Sequence, residues 1–198
     1  VAGGDGTLSN FANDVYKKNL TQEVYFFPCG SGNDFLNDVN VSRKYENNLI
    51  PLKDFLKSLP VVNVNGITKH FINGIGYGID GYCCEAGDKI RANFPNKKVN
   101  YTTIALKGLL GAFHPSNAKI TVDGETREYK KVWLAPTMLG RFYGGGMMIA
   151  PSQDRFNSEH TVTSVVAYKG CALKILSVFP KIFKGEHVSH TEILDIRS

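Results

Sequence analysis

Two glycine-rich turns, each placed directly after a short apolar run, are the feature that most constrains this sequence. Val1-Ala2 leads into Gly3-Gly4-Asp5-Gly6-Thr7, and Val24-Tyr25-Phe26-Phe27 leads into Pro28-Cys29-Gly30-Ser31-Gly32-Asn33-Asp34-Phe35. After the first turn, apolar residues recur at helical spacing from Leu8 to Tyr16, and Thr7 is the predicted N-cap. Because ligands of open α/β sheets bind at the carboxyl ends of strands, we expect the two turns to face one crevice.

The pattern changes near Pro60. Before it, residues 1–59 have the pattern of an α/β domain, with a further short helix predicted from Pro51 to Leu59. After it, Asn65-Gly66 and Asp123-Gly124 are two-residue turn signals between predicted strands. Further strands are predicted over residues 161–167 and 191–196, and helical stretches over 101–113 and 171–184. We therefore expect a partial α/β domain over residues 1–59 and an all-β antiparallel sandwich or open barrel, with helical insertions, over residues 60–198.

Composition limits the classes of partner. The 198 residues carry 23 Lys and Arg against 18 Asp and Glu, an excess that suits an anionic partner such as a nucleotide or a phospholipid surface. The basic residues are scattered without interleaved aromatics, which argues against nucleic acid. No apolar run approaches the roughly 20 residues of a membrane span. The four cysteines form no C-x-x-C pair, which argues against a zinc site and favours a reduced, cytoplasmic chain.

The residue types of the two turns suit a phosphate and a metal ion. Glycines at positions 3, 4 and 6 would let the backbone approach a phosphate at the N-terminus of a helix. Asp5 in the first turn and Asp34 at the end of the second are suited to Mg²⁺, whose preferred ligands are oxygens. A lone Gly-Gly-Asp-Gly is as often a simple tight turn, but two such turns together favour a site for nucleotide phosphate and metal. Neither turn has the spacing of a Walker A loop or of G-x-G-x-x-G.

Four motifs in the same order resemble the diacylglycerol kinase catalytic-domain family, which includes bacterial lipid kinases and the sphingosine and ceramide kinases. They are Gly3–Leu8, Pro28–Phe35, Phe71–Asp80 and Gly144–Pro151, and Gly185-Glu186-His187 resembles a fifth. The resemblance implies a nucleotide-binding domain like that of NAD kinase and phosphofructokinase, followed by a β-sandwich that carries the lipid contacts. It also implies ATP and Mg²⁺ as cofactors and transfer of the γ-phosphoryl group to a lipid hydroxyl, with diacylglycerol as the expected acceptor and phosphatidic acid as the product.

Individual site residues follow from the same resemblance. It implies that ATP is bound by two sets of residues: Gly3, Gly4, Asp5, Gly6, Thr7, Leu8 and Ser9, and Gly30, Ser31, Gly32 and Asn33. Asp5 and Asp34 are the expected catalytic carboxylates and belong to the Mg²⁺–water network. The residues Asn73, Gly76, Gly78 and Asp80 match the family's second motif, for which a strand-end turn and a direct catalytic role are equally open. Residues 144–146 are expected to form a tight turn.

The sequence departs from the family pattern in four places. The family's N-P-x-x-G phosphate loop does not precede Val1, and the late Asp-Gly-Glu that carries its general base does not follow, so we expect a chain clipped at both ends and inactive as this piece. We interpret Asp123-Gly124-Glu125 as a hairpin turn. Asn157-Ser158 stands where the family has an Asp-Gly pair that binds a structural Mg²⁺, with Asp154 and Glu159 as candidate substitutes. The family's aspartate near Pro60 is also missing.

Two rival functions stay open at this stage. A non-catalytic nucleotide- or lipid-binding module would explain the missing base, and an NAD kinase would share the first turn but not residues 30–35. For a lipid kinase, the expected setting is cytoplasmic, at the inner face of a membrane that holds the lipid acceptor. The Lys-flanked apolar stretches 106–113 and 173–184 are candidate lipid-facing surfaces, or helices packed on the sandwich. The sequence predicts no nucleic-acid partner and leaves the oligomeric state open, a homodimer included.

Overall fold

The computed structural model describes residues 1–16, 18, 20–94 and 99–198. These residues form two compact units, one of residues 1–74 and 139–161 and the other of residues 75–138 and 162–198. The described strands are Ala2–Gly3 (β1), Tyr25–Pro28 (β2), Ile50–Pro51 (β3), Val61–Val64 (β4), Ile67–His70 (β5), Gly74–Ile75 (β6), Ser116–Val122 (β7), Glu125–Val132 (β8), Thr137–Met138 (β9), Phe142–Tyr143 (β10), Met147–Met148 (β11), Thr163–Ala167 (β12) and Leu194–Arg197 (β13). The α-helices are Asp5–Val15 (α1), Asp34–Ser42 (α2), Ile79–Asn93 (α3), Tyr101–Lys107 (α4) and Ala172–Ile182 (α5).

The first unit is built on a small mixed sheet. β1 pairs with β2 in parallel, with Ala2 opposite Phe27, and β2 pairs with β3 in antiparallel fashion. One face of α1 covers this sheet through the fully buried Leu8 and Ala12. Phe35 of α2 packs edge-on against Phe26 of β2, with ring centroids 5.9 Å apart. The strand ends and the helix starts that carry the glycine turns are therefore held on one apolar core.

The second unit contains a four-stranded sheet in the order β13-β12-β9-β6 and the long hairpin β7–β8. β12 pairs in antiparallel fashion with β13 on one side and with β9 on the other. Tyr129, Val132 and Val166 form a buried cluster. α5 buries Ile175, Val178 and Ile182, and a π-helical turn over Gly108–Ala112 extends α4. Among the described helices, none combines the length and the hydropathy needed to cross a bilayer.

Several elements match the sequence predictions and others do not. Both hairpins turn at Asn65-Gly66 and Asp123-Gly124, as predicted, and Asp123-Gly124-Glu125 lies in the turn from β7 to β8. The N-cap prediction was wrong, because α1 begins at Asp5 with Gly4 as its N-cap. The helix predicted over residues 51–59 was also wrong: Ile50 and Pro51 pair with β2, and turns follow. α2 and α3 begin inside motifs that the sequence analysis treated as turns.

The first unit also extends beyond residue 59, where we predicted its boundary. Its sequence continues through the β4–β5 hairpin to Gly74 and resumes at Leu139. The hairpin belongs here because the side chain of Asn13 in α1 donates to the carbonyl of His70 and accepts from its N–H, both at 2.9 Å. Residues 141, 145 and 146 belong here because their N–H groups bond to two aspartates of α2, Asp34 and Asp38. In the sequence, the second unit is therefore interrupted by residues 139–161, which belong to the first unit.

Candidate functional site

The two glycine turns lie side by side in the first unit. Cys29 N–H donates to the carbonyl of Gly3 at 2.9 Å, which continues the β1–β2 pairing into the turns. A Cβ built on Gly4 would lie 3.2 Å from Cα of Gly30, and a Cβ on Gly30 would overlap Cα of Gly4. Only residues without side chains can make such an approach. The parallel pairing of two short strands therefore brings both predicted turns to the same edge of the sheet.

Asp5 serves as the cap of a helix that starts 29 residues later. Its Oδ2 accepts from the N–H of Asp34 at 3.0 Å, and its Oδ1 accepts from the N–H of Phe35 at 2.8 Å. The residue in the N-cap position of α2, Asn33, has a left-handed backbone (φ 53°) and uses its side chain to accept from Gly30 N–H instead. Asp5 thus satisfies two of the N–H groups that a helix start leaves free. The carboxylate is fixed in direction and carries its charge at the N-terminus of α2, where it is favoured.

Asp34 faces the glycine turn between β10 and β11. Its two oxygens accept from the N–H groups of Gly145 at 2.9 Å and Gly146 at 2.6 Å. Gly144, Gly145 and Gly146 all have positive φ, so the predicted tight turn is confirmed and glycine is required there. Burial raises the pKa of Asp34, and the nearby charge of Asp5 raises it further, while the two backbone hydrogen bonds act against this rise. The carboxylates of Asp5 and Asp34 therefore lie near each other, and burial shields that of Asp34 from water.

Gly32 leaves a space between these two carboxylates. A Cβ built there would lie 3.6 Å from Oδ2 of Asp5, 3.6 Å from Oδ2 of Asp34 and 3.2 Å from Cα of Gly145. A carboxylate oxygen has about two lone pairs, and among the described residues Oδ2 of Asp5 and both oxygens of Asp34 each accept one hydrogen bond. Mg²⁺ is usually held by one or two carboxylates together with waters and substrate phosphates. These residues fit that requirement, and a cation there would relieve the repulsion between the two charges.

Within the described ranges 1–16, 18, 20–94 and 99–198, no three His, Cys, Asp or Glu side chains come together as ligands of a larger metal site. The remaining ligands of an ion at Gly32 would therefore be waters and the oxygens of a substrate. The N-cap of α1, Gly4, has no side chain to cap the first turn, which contains the predicted phosphate-binding residues 5–7. An uncapped helix start of this kind suits an anion. Ser31 is exposed at the tip of the second turn.

In the loop after Ala150-Pro151, an asparagine stands where the family has the aspartate that binds a structural Mg²⁺. The side chain of Asn157 donates to the carbonyls of Asp154 at 2.6 Å and Thr161 at 3.2 Å, and accepts from the N–H of Thr161 at 2.8 Å. Asp154 turns its carboxylate to the N–H of Phe156, and Glu159 is exposed. The amide of Asn157 closes this loop by direct hydrogen bonds, and the substitution of the family's metal ligand by Asp154 or Glu159 stays a prediction.

The family's second motif divides between the two units. Asn73 belongs to the first, where its Nδ2 donates to Oδ1 of Asp5 at 3.1 Å. Gly76, Gly78 and Asp80 belong to the second, at the start of α3. Gly78 has a φ of 84°, and the next residue, Ile79, donates its N–H to the carbonyl of Trp133 at 2.8 Å. These geometries favour the strand-end turn for the glycines and a contact with the candidate site for Asn73.

Sequence reasoning missed a buried ion pair beside Asp5. Asp38 in α2 is fully buried and is bonded to Arg155, whose side chain is 3% exposed. The signal for Asp38 was available: it follows Asp34 by four residues, on the same face of a helix. Arg155 carried no such signal, because its partner Asp38 lies 117 residues away and only tertiary folding brings the two together.

Comparison with known proteins agrees with this fold. The family model described as the diacylglycerol kinase catalytic domain matches residues 1–64, and that described as the YegS C-terminal NAD kinase beta sandwich-like domain matches residues 73–198. The chain belongs to the diacylglycerol kinase catalytic-domain family, as the motifs indicated, and its second part has the sandwich-like domain that the resemblance implied.

Two relatives show the extent of the match. The diacylglycerol kinase of Mycobacterium tuberculosis is 27% identical over 203 residues, which cover 100% of this chain and 63% of that protein. A solved structure titled as a diacylglycerol kinase from Bacillus anthracis superposes with a TM-score of 0.58 at 20% identity, over 100% of this chain and 61% of the other. The chain thus spans less than two thirds of the length of these relatives.

Proposed function

We propose that the protein containing this chain is a lipid kinase that transfers the γ-phosphoryl group of ATP to a lipid hydroxyl, with diacylglycerol as acceptor and phosphatidic acid as product. Membership of the diacylglycerol kinase family supports the class of reaction. The observation that carries the proposal is the pair Asp5 and Asp34, which face a common space at Gly32 beside the start of α1. This is an arrangement in which a Mg²⁺–nucleotide complex fits.

In this proposal the chain supplies positioning and charge. The first-turn N–H groups of α1 and the glycine backbone of residues 3 and 4 bind phosphate oxygens. Asp5 and Asp34 hold Mg²⁺, which neutralises charge on the phosphoryl group being transferred. Hydrogen bonds from α2 and from the β10–β11 turn keep the two carboxylates oriented before a ligand arrives, so little reorganisation is needed on binding.

We also propose that a lipid surface is met by α5 and the π-helical turn after α4, which pack against each other in the second unit. In these segments Leu109, Ile175, Val178 and Ile182 are buried, whereas Leu110 is 72% exposed and Leu173 is 75% exposed. Lys107 precedes the π-helical turn, and Lys174, Lys181 and Lys184 lie along or just after α5. Exposed leucines flanked by lysines are suited to an anionic bilayer.

The test is a phosphoryl-transfer assay on the full-length protein. γ-Labelled ATP, Mg²⁺ and mixed micelles containing diacylglycerol, a sphingoid base or another lipid alcohol are compared, with NAD as a separate acceptor. We expect label in diacylglycerol, and its loss in Asp34→Asn, with cooperative thermal unfolding of the variant as the check that it is folded. Label in NAD alone would identify an NAD kinase. Binding of Mg·ATP without transfer to any acceptor would identify a non-catalytic module and overturn the proposal.

A further inference from the structure

The buried ion pair in the first unit reaches the candidate site through one amide. Arg155 binds Asp38 with its Nε, the carbonyl of Ile72 with Nη1 at 3.1 Å and Oδ1 of Asn73 with Nη2 at 3.1 Å. Asn73 in turn donates from Nδ2 to Oδ1 of Asp5 at 3.1 Å. A continuous chain of hydrogen bonds therefore runs from Asp38 through Arg155 and Asn73 to Asp5.

The chemistry of its neighbours fixes the direction of the Asn73 amide. A guanidinium can only donate and an ionised carboxylate can only accept, so Oδ1 of Asn73 must face Arg155 and Nδ2 must face Asp5. The backbone holds the residue in place as well, because its carbonyl accepts from the N–H groups of Leu139 at 2.8 Å and Gly140 at 3.0 Å. Asn73 thus accepts a hydrogen bond from the cation Arg155 on one side and donates one to the carboxylate of Asp5 on the other.

Arg155 has little freedom to move. Its guanidinium lies 4.7 Å from the centroid of the Phe35 ring, and a Cβ built on Gly140 would overlap its Nη2 and lie 2.9 Å from Oδ2 of Asp38. Burial lowers the pKa of Arg155 and the charge of Asp38 opposes that change, but an arginine keeps its charge in either case. The planar guanidinium of Arg155 is therefore held in one orientation by the ring of Phe35 and the carboxylate of Asp38, and Gly140 leaves room for it.

We propose that Arg155 and Asn73 are positioning residues that orient the carboxylate of Asp5 toward the space at Gly32. Neither residue is proposed to touch a substrate, and the inference rests on the proposed function of Asp5 as a Mg²⁺-binding carboxylate. The other donors to Asp5 are the N–H groups of α2, and Asn73 adds a side-chain donor to Oδ1. Three hydrogen bonds on two oxygens leave the remaining acceptor capacity on Oδ2, the atom that lies beside Gly32.

Asn73→Asp in the full-length protein tests the amide directly. The new carboxylate keeps a partner for Arg155, so the fold should be retained, but it places an acceptor against the acceptor Asp5 and should lower the melting temperature by their repulsion. We expect a fall in kcat of about 10- to 100-fold, as for outer residues that orient metal ligands, with the KM for the lipid unchanged and Mg²⁺ binding weakened. The backbone amide signals of Asp34 and Phe35 in nuclear magnetic resonance spectra should also shift without any ligand.

Two further variants separate orientation from charge. Arg155→Lys keeps a cation but lacks the fork that joins Asp38 to Asn73, and we expect a fall in kcat of about 10-fold. Arg141→Met is the matched control, because Arg141 also contacts Asp38, at 3.4 Å, but within the described part of the chain makes no hydrogen bond to Asn73. It should leave kcat, Mg²⁺ binding and the amide signals of Asp34 and Phe35 unchanged.

These measurements distinguish a failure of the positioning role from a failure of the proposed function. A wild-type protein that transfers no phosphoryl group overturns the kinase proposal, while the amide signals and Mg²⁺ binding still test the positioning role. Normal kcat, Mg²⁺ binding and amide signals in Asn73→Asp would overturn that role. Losses in Arg141→Met as large as those in Arg155→Lys would also overturn it, since they would show a general dependence on the buried charges.

Discussion

Gly32 is the residue at which the geometry of the site is most easily tested. Replacement by Ala would put a methyl group in ordinary contact with Oδ2 of both Asp5 and Asp34, and in tight contact with Gly145. The methyl would occupy the space that we assign to Mg²⁺ without removing either carboxylate. We expect Gly32→Ala to weaken Mg·ATP binding about 10-fold, measured by calorimetry, at a cost in unfolding free energy of about 1 kcal/mol from overpacking.

The matched control for this change is Gly81→Ala. Gly81 lies on an exposed part of α3, where a new Cβ meets nothing within 4 Å, so the substitution adds the same methyl group without filling a site. It should leave nucleotide binding unchanged and favour the helix slightly. Equal affinities for Mg·ATP in the wild type and Gly32→Ala would show that the space between the carboxylates does not hold the ion.

Asp34 links this site to pH. Its pKa is raised above the ordinary value of 3.8, so the stability gained from its neutral form is present below that value and lost as pH rises through the folded-state pKa. A bound cation favours the ionised form. We therefore expect Mg²⁺ to raise the melting temperature more at pH 7 than near pH 4, and expect Asp34→Asn to remove most of this difference. A Mg²⁺ effect that is the same at both pH values in the wild type would contradict the assignment.

At the scale of whole elements, the sequence predicted those whose signals are local. The apolar stripe that begins at Leu8 gave α1, and Asn65-Gly66 and Asp123-Gly124 gave the two hairpins. It did not predict α2, because the start of that helix is capped by Asp5 from a distant turn while Asn33 adopts a left-handed backbone. α3 was missed for a different reason: it buries few apolar residues, so its apolar periodicity is weak.

The candidate site was predictable to a similar degree. The two turns, and Asp5 and Asp34 within them, could be chosen because their residue types suit phosphate and Mg²⁺. The partners of these carboxylates could not be chosen, since Asn73, Gly145 and Gly146 are brought to them only by tertiary folding. Tertiary contacts also explain the wrong helix prediction over residues 51–59, since Ile50 and Pro51 pair with β2 although helical spacing follows them.

The exposed leucines beside α4 and on α5 give a prediction about membranes. Replacing both Leu110 and Leu173 by Ser removes two apolar side chains of about 1.5–3 kcal/mol transfer free energy each when fully buried. Because insertion at a bilayer surface is partial, we expect binding to vesicles with anionic lipid to weaken about 10-fold in sedimentation assays. Ile67→Ser is the matched control, since Ile67 is 65% exposed on the β4–β5 hairpin and should leave vesicle binding unaltered. An equal loss in both proteins would contradict this surface.

Across the whole molecule, Asp34 in the first unit and Asp195 in the second have pKa values shifted in opposite directions. In the first, protonation of Asp34 relieves a buried charge. In the second, Asp195 of β13 accepts hydrogen bonds from Tyr129 and from Arg127 and Arg197. Burial alone would raise the pKa of Asp195, but the hydrogen bonds outweigh it and hold the pKa below its ordinary value. Its stabilisation is therefore present above pH 3.8 and is lost as pH falls through the folded-state pKa.

Asp195→Asn should accordingly destabilise the second unit at neutral pH, by about 1.5–3 kcal/mol for hydrogen bonds to a charged group. Trp133, the single tryptophan of this sequence, is 5% exposed within that unit, so urea unfolding followed by its fluorescence reports the change. The deficit should shrink as pH falls below 4, because the wild type then loses the same charge. Asp123→Asn, at an exposed turn position with φ 49° that suits asparagine, should leave the unfolding midpoint unaltered at every pH. A deficit in Asp195→Asn that stays constant down to pH 3 would show that the carboxylate charge does not stabilise this cluster.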